Sequence, residues 1–448
     1  MIDLKDGEVL VNYEEQGKAI INLNNLDLEK LHLIYKNEIY IEDTKRIDVV
    51  LAAALSKKME GIPLWLIIIG ASGDMKSVQL NAIRNDDVYI LHNLTSKTLV
   101  NGYKDKKEHP DLAPKLNNKI VIIPDMAQIL KLPPVEKAEL WGQLRDLYDG
   151  FAGKESGQGS SAKYENLKIT LLAGSTPSID AQILVHQDLG TRELIYRTKG
   201  NKNQDKVMKK CFENEETEKE VTERLRIATK NFLEKTNIKR DYIKPELLEK
   251  IMVISKYISK MRANAEFDNY TNELRNFVYP EEPTRIAKQL KRMYICLMSL
   301  SDDYPEERAL EILWEIARGS AFPIRVKLMD FFKDKTEGEY STSQLAEIMQ
   351  LGKSTIKREC SVLEHLGFIT CRREPTTYPD RFYEYWKPSK LIIDTICNNK
   401  SNIYTNIISM DSLDKKTGGE KLENLSGRTS SQTNNSDNEK PKCEVIKI

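Results

Sequence analysis

The sequence predicts an α/β protein in which a parallel β-sheet with flanking helices is followed by a helical region and a C-terminal helix-turn-helix with a wing. Three observations support this class. Short apolar runs alternate with amphipathic stretches in the first 200 residues, residues 201–322 are charged and nearly free of glycine, and residues 324–390 place helical stretches before two strand-like pieces. Apolar strands that alternate with helices are typical of a parallel sheet covered on both faces.

The composition indicates a soluble protein with more than one domain. At 448 residues the chain is too long for one small core, and its 30% charged and 40% hydrophobic residues are ordinary proportions. Lys plus Arg and Asp plus Glu each number 68, so the net charge of zero gives no general attraction to nucleic acid. No apolar stretch approaches the about 18 residues that cross a bilayer, and neither a secretion signal nor a C-x-x-C pair is present, which predicts a cytoplasmic protein without a membrane partner.

The first element with a chemical signature is LWLIIIGASGDMKSVQL, residues 64–80. An apolar strand stops at Gly70, and Lys76 and Ser77 follow at the spacing of the phosphate-binding motif G-x-x-x-x-G-K-[ST]. Such a loop points backbone N–H groups at phosphate oxygens and adds a lysine for the β- and γ-phosphates and a hydroxyl for Mg²⁺. The candidate nucleotide-binding residues are Gly70, Ala71, Ser72, Gly73, Asp74, Met75, Lys76 and Ser77.

Met75 stands where this motif has its second glycine. Glycine is indispensable only where φ is positive, so the phosphate-loop interpretation predicts helical φ and ψ at Met75. The alternative interpretation is an ordinary glycine turn before a helix.

A second apolar run, residues 120–125, ends in the carboxylate of Asp125. Ligands bind at the carboxyl ends of parallel strands, so Asp125 is a candidate to hold Mg²⁺ together with Ser77. The alternative is an aspartate that caps the following turn.

The C-terminal stretch STSQLAEIMQLGKSTIKRECSVLEHLGFI predicts a short helix, a turn at Leu351-Gly352 and a longer helix, before the strand-like FITCRRE and RFYEYW. The start of the second helix normally meets nucleic acid. Residues 353–390 hold eight Lys and Arg against five Asp and Glu, and the candidate DNA-binding residues are Lys353, Lys357, Arg358, Arg372 and Arg373. Winged helices also bind proteins, which stays open as the alternative. The neighbouring aromatic residues are expected to form core: Tyr378, Phe382, Tyr383, Tyr385 and Trp386.

Several segments, taken in order, resemble the AAA+ ATPase superfamily and its MCM-like helicase group. GASGDMKSVQL is similar to the MCM-type phosphate loop G-x-P-G-x-A-K-S, and KIVIIPDMAQIL falls at the Walker B strand. WGQLRDLYDGFAGKESGQG, LLAGSTP, DLGTRELIYR and EEPTRIAKQLKRMYICLMSL resemble the helix with its DNA-contacting hairpin, the sensor 1 strand, the arginine-finger segment and the lid helix. The likeness covers residues 45–390 and is closest to shortened AAA+ ATPases of phages and mobile elements.

The resemblance implies a role for one residue in each of these segments. Lys154 grips DNA from the hairpin, Thr176 takes the sensor 1 position usually held by asparagine, Arg192 is the arginine finger and Arg285 is sensor 2. The implied catalytic residues are Lys76, Asp125, Thr176, Arg192 and Arg285, with ATP and Mg²⁺ as cofactors. Because an arginine finger acts across a subunit interface, the implied partners are DNA and further copies of the chain in a ring or spiral, with a hexamer as the expected size. Surface ion pairs are the alternative for both arginines.

One position departs from the family pattern. Met126 follows Asp125 where the family usually carries a glutamate that activates water. The general base is therefore open, with Asp146 and Asp149 as candidates.

These features divide the chain into five parts. They are a small N-terminal element (1–45), an AAA+ ATPase core (46–200), a helical linker and lid (201–322), a winged-helix domain (323–392) and a disordered tail (393–448).

The resemblance implies an ATP-dependent DNA motor, an MCM-like helicase or remodeller in the DNA replication of a virus, plasmid or mobile element. The alternative is an ATP-switched DNA-binding initiator, helicase loader or regulator with weak hydrolysis and no unwinding. A third interpretation is a transcription factor with an inactive ATPase remnant. Met126 favours the switch, and the basic hairpin favours the motor.

Overall fold

The computed structural model describes most of the chain up to residue 389. The described ranges are 8–13, 17–95, 97–101, 110–155, 161–181, 192–239, 243–268, 274–276, 278–335, 337–377 and 382–389. Within these ranges no helix is long and apolar enough to cross a lipid bilayer. The tail predicted to be disordered lies outside them.

The N-terminal segment forms a hairpin and a helix that pack on later parts of the chain. The first elements are β1 (Glu8–Tyr13), β2 (Gly17–Asn22), α1 (Leu28–Ile39) and α2 (Lys45–Leu55). Helix α1 begins after Asp27, whose carboxylate accepts the backbone N–H of Lys30 at 2.8 Å, a normal N-terminal cap. The hydroxyls of Tyr35 and Thr229 lie 2.8 Å apart and connect α1 to the helical region.

A five-stranded parallel sheet flanked by helices forms the centre of the α/β part, as the sequence predicts. Its strands run in the order β4-β5-β8-β3-β9. The elements in chain order are β3 (Trp65–Ile69), α3 (Lys76–Asn81), β4 (Val88–Ile90), α4 (Ala113–Leu116), β5 (Ile120–Ile123), α5 (Ala127–Leu130), α6 (Pro134–Tyr148), β6 (Ala152–Glu155), β7 (Ser161–Tyr164), β8 (Thr170–Ser175) and β9 (Leu194–Arg197).

Helices cover both faces of this sheet. Leu66 and Ile68 of β3 enter one apolar core, whereas Trp65, Ile67 and Ile69 enter another on the opposite face. Because no residue of β3 faces water, the strand is apolar along its whole length instead of alternating.

Strand β8 lies between β3 and β5, although it follows both of them in the sequence. Ile69 pairs with Ser175, and Ile123 pairs with Ala173, so the three strands end within two residues of one another. Gly174 allows this close pairing, because a Cβ atom at its position would overlap the carbonyl oxygen of Pro124. The loops that follow the three strands therefore start side by side.

The region from 201 to 322 is helical in its described residues. Helix α11 (Glu306–Ser320) packs against the edge strand β9, where the Ser320 hydroxyl accepts the backbone N–H of Ile195 at 2.9 Å. The helices are α7 (Gln204–Asn214), α8 (Glu218–Lys235), α9 (Pro245–Met261), α10 (Thr284–Met298) and α11 (Glu306–Ser320).

The C-terminal part combines helices with a small antiparallel sheet of order β10-β12-β11. A capping box between Ser341 and Gln344 starts α13, and Gln350 ends it in the left-handed region. Trp386 of β12 is fully buried, and its Nε1 donates to the hydroxyl of Thr342 at 2.9 Å. The elements are α12 (Pro323–Asp334), β10 (Tyr340–Ser341), α13 (Thr342–Met349), α14 (Lys353–His365), β11 (Ile369–Pro375) and β12 (Phe382–Pro388).

A buried carboxylate joins the N-terminal helices to the helical region. The side chain of Asp48 in α2 has no solvent exposure. Its Oδ1 lies 2.5 Å from Nε2 of His32, and its Oδ2 accepts from the Tyr304 hydroxyl and from Nε of Arg308, both at 2.7 Å. A buried charge is stable only when it is paired and hydrogen-bonded, so this cluster fixes α1, α2 and α11 relative to one another.

We expect Asp48→Asn to lower the free energy of unfolding by about 3 kcal/mol, because the substitution leaves the partly buried Arg308 without its carboxylate. A lower urea midpoint at constant m-value would measure this loss. Asp302→Asn is the control, since the carboxylate of Asp302 is 96% exposed and pairs with Lys239 at the surface. Equal stability of the two variants would mean that the buried cluster does not hold these helices together.

Candidate nucleotide site and nucleic-acid interface

The phosphate-loop candidate and two other predicted site residues meet at the carboxyl edge of the sheet. Gly70 follows β3, Asp125 follows β5 and Thr176 follows β8, and these three strands are neighbours. The backbone N–H of Gly70 donates to the carbonyl of Ser175 at 3.2 Å, and that of Met126 donates to the carbonyl of Gly174 at 2.9 Å. Ligands of parallel α/β sheets bind at this edge.

The loop from Gly70 to Ser77 has two left-handed residues. Gly73 has φ of 77°, and Met75 has φ of 54° with ψ of 15°. The expectation of helical dihedral angles at Met75 is therefore wrong: the residue adopts the backbone conformation that glycine provides in the motif. A left-handed residue other than glycine costs about 1–2 kcal/mol, so contacts elsewhere must hold the loop in this shape.

Lys76 is folded back onto the loop that it belongs to. Its Nζ donates to the carbonyls of Gly70 at 3.0 Å and Ala71 at 2.5 Å. Burial lowers the pKa of Lys76, and the nearby Arg46 lowers it further, whereas Asp74 and Asp125 oppose the shift. The ammonium thus already lies over the mouth of the loop, where a phosphate group could replace the two carbonyl oxygens.

Ser77 and Asp125, the predicted Mg²⁺ ligands, are both exposed at the carboxyl edge. Ser77 is the second residue of α3, and Asp125 is the second residue after β5. One oxygen of Asp125 accepts the backbone N–H of Ala127 at 2.9 Å, which is the turn-capping contact foreseen as the alternative. A hydroxyl and a carboxylate are suitable oxygen donors for Mg²⁺, and this cap engages only one oxygen of the carboxylate.

Thr176 lies between the phosphate loop and Asp125, at the end of the central strand β8. Its hydroxyl is 2.8 Å from that of Ser178. Met126 is buried, with 2% exposure, and supplies no base. Asp146 and Asp149 lie at the C-terminal end of α6, near the amino edge of the sheet. At this end of α6, Tyr148 stacks edge-to-face on Trp65, the first residue of β3. Neither aspartate is therefore a base for the phosphate loop of its own chain.

Arg192 and Arg285 lie together at the amino edge of the sheet. Arg192 precedes β9, and its carbonyl accepts from Nε2 of Gln289, one turn along α10 from Arg285. Strand β9 has four residues, so about 13 Å of strand separates Arg192 from the edge that carries the phosphate loop. The two arginines therefore lie at the edge of the sheet opposite the candidate phosphate loop of their own chain.

Acidic side chains hold both arginines in place. Arg192 pairs with Asp149 at 2.9 Å, and Arg285 pairs with Glu281 at 2.9 Å. Tyr148 lies beside them, and burial raises its pKa to about 12 although Arg285 and Arg192 act in the opposite direction. The amino edge thus presents an arginine pair with matched carboxylates.

Lys154 lies on β6 of the antiparallel hairpin that follows α6, and it pairs in register with Ala162 of β7. The side chain of Lys154 is half-buried. The tip of this hairpin, residues 156–160, lies outside the described residues.

Most of the predicted DNA-binding residues of the C-terminal part already have intramolecular partners. Lys357 pairs with Glu384 at 3.3 Å, Arg372 with Glu339 at 2.8 Å and Arg373 with Glu364 at 2.9 Å. These pairs reduce the positive charge expected from the sequence.

The two remaining residues differ from each other. The guanidinium of Arg358 lies 5.5 Å from the ring centre of Phe267, on the side of α14 that faces the helical region. Lys353, the first residue of α14, is exposed and makes no ion pair within the part of the chain that the structure describes. Lys353 therefore keeps the position expected of a phosphate contact.

The aromatic cluster divides between core and surface. Trp386 is buried as predicted, but Phe382 and Tyr383 are 55% and 60% exposed, so the prediction of core is wrong for both. They lie on the strand that pairs with β11, which carries Arg372 and Arg373. Tyr378 lies outside the described residues.

Sequence patterns missed three residues around the phosphate loop. Arg46 in the first turn of α2 and Thr198 after β9 both contact Asp74 of the loop. Arg197 ends β9 at the carboxyl edge and makes two hydrogen bonds to Asp180. Arg197 could have been found by the pattern that identified Asp125, which is a charged residue at the end of an apolar strand. No local sequence signal identifies Arg46.

No protein-family model and no curated protein matches the chain. Among solved structures, the chain is similar to the apo form of the C-terminal region of NrS-1, with 12% sequence identity over 86% of this chain and 83% of that chain. The TM-score of this match is 0.24.

Proposed function

We propose that this protein is an ATP-dependent DNA motor with an AAA+ core resembling the MCM-like helicases, which acts in DNA replication as a homo-oligomeric ring or spiral. The observation that carries the proposal is the insertion of β8 between β3 and β5, which brings the loop of Gly70–Ser77, Asp125 and Thr176 to one edge of the sheet. A polar side chain between a phosphate loop and an acidic strand end is suited to orient the water that attacks the γ-phosphate.

Each residue of this edge has a distinct part in the proposed reaction. Lys76 would exchange the carbonyls of Gly70 and Ala71 for oxygens of the β- and γ-phosphates. Ser77 and Asp125 would hold Mg²⁺, which neutralises phosphate charge when it is bound with ATP. Thr176 would position the water.

The remaining catalytic groups come from a second copy of the chain. Arg192 and Arg285 cannot reach their own nucleotide, because the sheet separates them from it, but they lie next to each other at the opposite edge. We propose a head-to-tail assembly in which this edge would face the nucleotide site of the neighbour. Arg192 would then leave Asp149 to stabilise charge on the transferred phosphoryl group.

DNA would be bound in two places. In this proposal the α13–α14 pair with the sheet β10-β12-β11 acts as a winged helix, and the exposed Lys353 at the start of its second helix contacts DNA phosphates. The hairpin β6–β7 carries Lys154 on a two-stranded ribbon that leaves the main sheet. We propose that this hairpin couples ATP hydrolysis to movement along DNA.

We expect Lys154→Ala to remove most of the stimulation of ATP turnover by DNA while it leaves basal turnover unchanged. A lysine that grips a phosphate contributes without regard to sequence, so the slope of log affinity against log salt should also become flatter by about 0.7–0.9. Steady-state ATP turnover with and without single-stranded DNA, and DNA titrations at several salt concentrations, measure both effects.

Lys30→Ala provides the control, since Lys30 is a surface lysine that pairs with Asp27 on α1. It should change neither quantity. Full DNA stimulation in Lys154→Ala would exclude the hairpin as the coupling element.

The second candidate function is an ATP-switched DNA-binding initiator, helicase loader or regulator. Two observations favour this second candidate: Met126 is buried, and Asp146 and Asp149 lie at the amino edge of the sheet. The candidate site therefore lacks the carboxylate base expected for rapid hydrolysis. For a switch we expect ATP-dependent assembly on DNA with slow turnover that DNA does not stimulate. Strand-displacement activity in the presence of ATP would rule out this second candidate.

A further inference from the structure

Arg46 is a buried arginine that holds the candidate phosphate loop from outside. Its side chain is 2% exposed. Nη1 donates to Oδ1 of Asp74 at 2.9 Å, and Nη2 donates to the backbone carbonyl of Asp74 at 2.7 Å. Nε donates to Oε1 of Gln79 at 3.1 Å, and Nε2 of Gln79 donates back to the Arg46 carbonyl at 2.7 Å. One side chain thus binds both the loop and the helix that follows it.

Asp74 is clamped from a second direction. The Thr198 hydroxyl donates to Oδ2 of Asp74 and also lies 3.2 Å from the carbonyl of Ile69. The carboxylate is therefore turned toward Arg46 and Thr198, and only 8% of it is exposed. A carboxylate that pointed into the loop would repel phosphate oxygens, so this orientation keeps the loop suited to an anion.

The residue after Asp74 is Met75, which adopts the left-handed conformation that residues other than glycine avoid. Arg46 fixes the carbonyl of Asp74, which belongs to the peptide unit that leads into Met75. The contact with Arg46 therefore acts directly on the backbone that is hardest to maintain.

We propose that Arg46 is a positioning residue that holds the phosphate loop in its nucleotide-accepting conformation by offsetting the unfavourable backbone of Met75. The inference rests on the proposed nucleotide site. This role explains how a phosphate loop can work with methionine at the position of its second glycine. Glycine would adopt the left-handed conformation without support, whereas Met75 needs a restraint, and Arg46, 28 residues before Asp74, supplies it.

Arg46→Gln should weaken the affinity for Mg-ATP about tenfold, since the affinity falls in proportion to the fraction of loops in the competent conformation. Met75→Gly introduced into this variant should restore most of the loss, because glycine adopts positive φ without steric cost. The Met75→Gly variant alone is the reference for the double variant, because it carries the same change in the loop with Arg46 in place. Isothermal titration calorimetry with Mg-ATP measures all three dissociation constants.

Arg325→Gln is the matched control. Arg325 is also 2% exposed, pairs with Glu359 at 2.7 Å and donates to the carbonyls of Met261 and Ala263, far from the loop in sequence. This variant should lose stability but keep its affinity for Mg-ATP. An unchanged affinity in Arg46→Gln, or a loss that Met75→Gly does not restore, would overturn the positioning role. If Arg46→Gln does not fold, the Mg-ATP affinities of Arg46→Lys and of Arg46→Lys combined with Met75→Gly are compared instead.

A wild-type protein that binds no Mg-ATP would refute the proposed function but not the restraint on the loop. Urea unfolding then decides the inference by a double-mutant cycle. Met75→Gly should raise the unfolding midpoint more in the wild type, where Arg46 holds Met75 in the strained conformation, than in the Arg46→Gln background, where most loops have already left it. Equal shifts in both backgrounds would show that Arg46 does not act through Met75.

Discussion

Arg192→Ala should lower ATP hydrolysis by a factor of about 10³, the scale expected when an arginine supplied by a neighbouring subunit is removed from phosphoryl transfer. ATP binding should stay nearly intact, because Arg192 lies at the amino edge of its own sheet and the phosphate loop lies at the carboxyl edge. Steady-state turnover and ATP titration on the same preparation separate these two effects.

Mixing tests the location of Arg192 directly. A subunit with Arg192→Ala keeps its phosphate loop, and a subunit with Lys76→Ala keeps its arginine, so some interfaces of a mixed assembly contain one complete site. Mixing the two variants should therefore restore part of the activity. Arg226→Ala serves as the control, because Arg226 pairs with Glu223 on the surface of α8 and should leave hydrolysis unchanged. Mixtures as inactive as the separate variants would disprove either the finger or the assembly.

The second large effect is expected for Lys76→Ala, which should abolish ATP binding. The ammonium is the main counter-charge to the β- and γ-phosphates, and it already lies on the carbonyls of Gly70 and Ala71 at the mouth of the loop. Because Lys76 is 8% exposed, its removal also carries a structural cost that has to be measured separately. Calorimetric titration with Mg-ATP and urea unfolding of the same variant give both quantities.

Lys168→Ala controls for that structural cost. Lys168 resembles Lys76 in that its Nζ donates to two backbone carbonyls, those of Lys57 and Met59, and burial lowers its pKa as well. It lies at the amino edge of the sheet, just before β8. Similar loss of stability in both variants, with ATP binding lost only in Lys76→Ala, is the expected result. Undiminished ATP affinity in Lys76→Ala would mean that residues 70–77 are not a phosphate loop.

The two arginines show that residues from separate sequence segments can come to lie on one surface. The resemblance assigned Arg192 and Arg285 to separate segments, almost a hundred residues apart. In the structure Gln289, which lies one turn along α10 from Arg285, donates to the carbonyl of Arg192. One surface therefore carries both arginines. A substitution at Gln289 is therefore expected to disturb the surroundings of both arginines, which separate consideration of the two segments would not predict.

The C-terminal part shows the opposite limit. Its order of elements follows from hydrophobic spacing and turn residues, and the start of α14 at Lys353 agrees with the predicted second helix. The charge of its surface does not follow from counting residues, because Glu339, Glu364 and Glu384 approach the basic side chains only when the small sheet forms. The excess of lysine and arginine in the sequence therefore overstates the positive charge available to DNA.

The sequence by itself determined the local elements: the apolar strands, the phosphate-loop spacing, the helical region and the helix pair near the C-terminus. Periodicity and turn chemistry act over a few residues, so they can be inferred from neighbours in the chain. Only the tertiary structure decided that β8 lies between β3 and β5, that Met75 is left-handed, that Arg46 restrains the loop and that Arg192 and Arg285 share the far edge. Each of these features depends on contacts between residues that are distant in sequence, and no local pattern specifies which distant residues will meet.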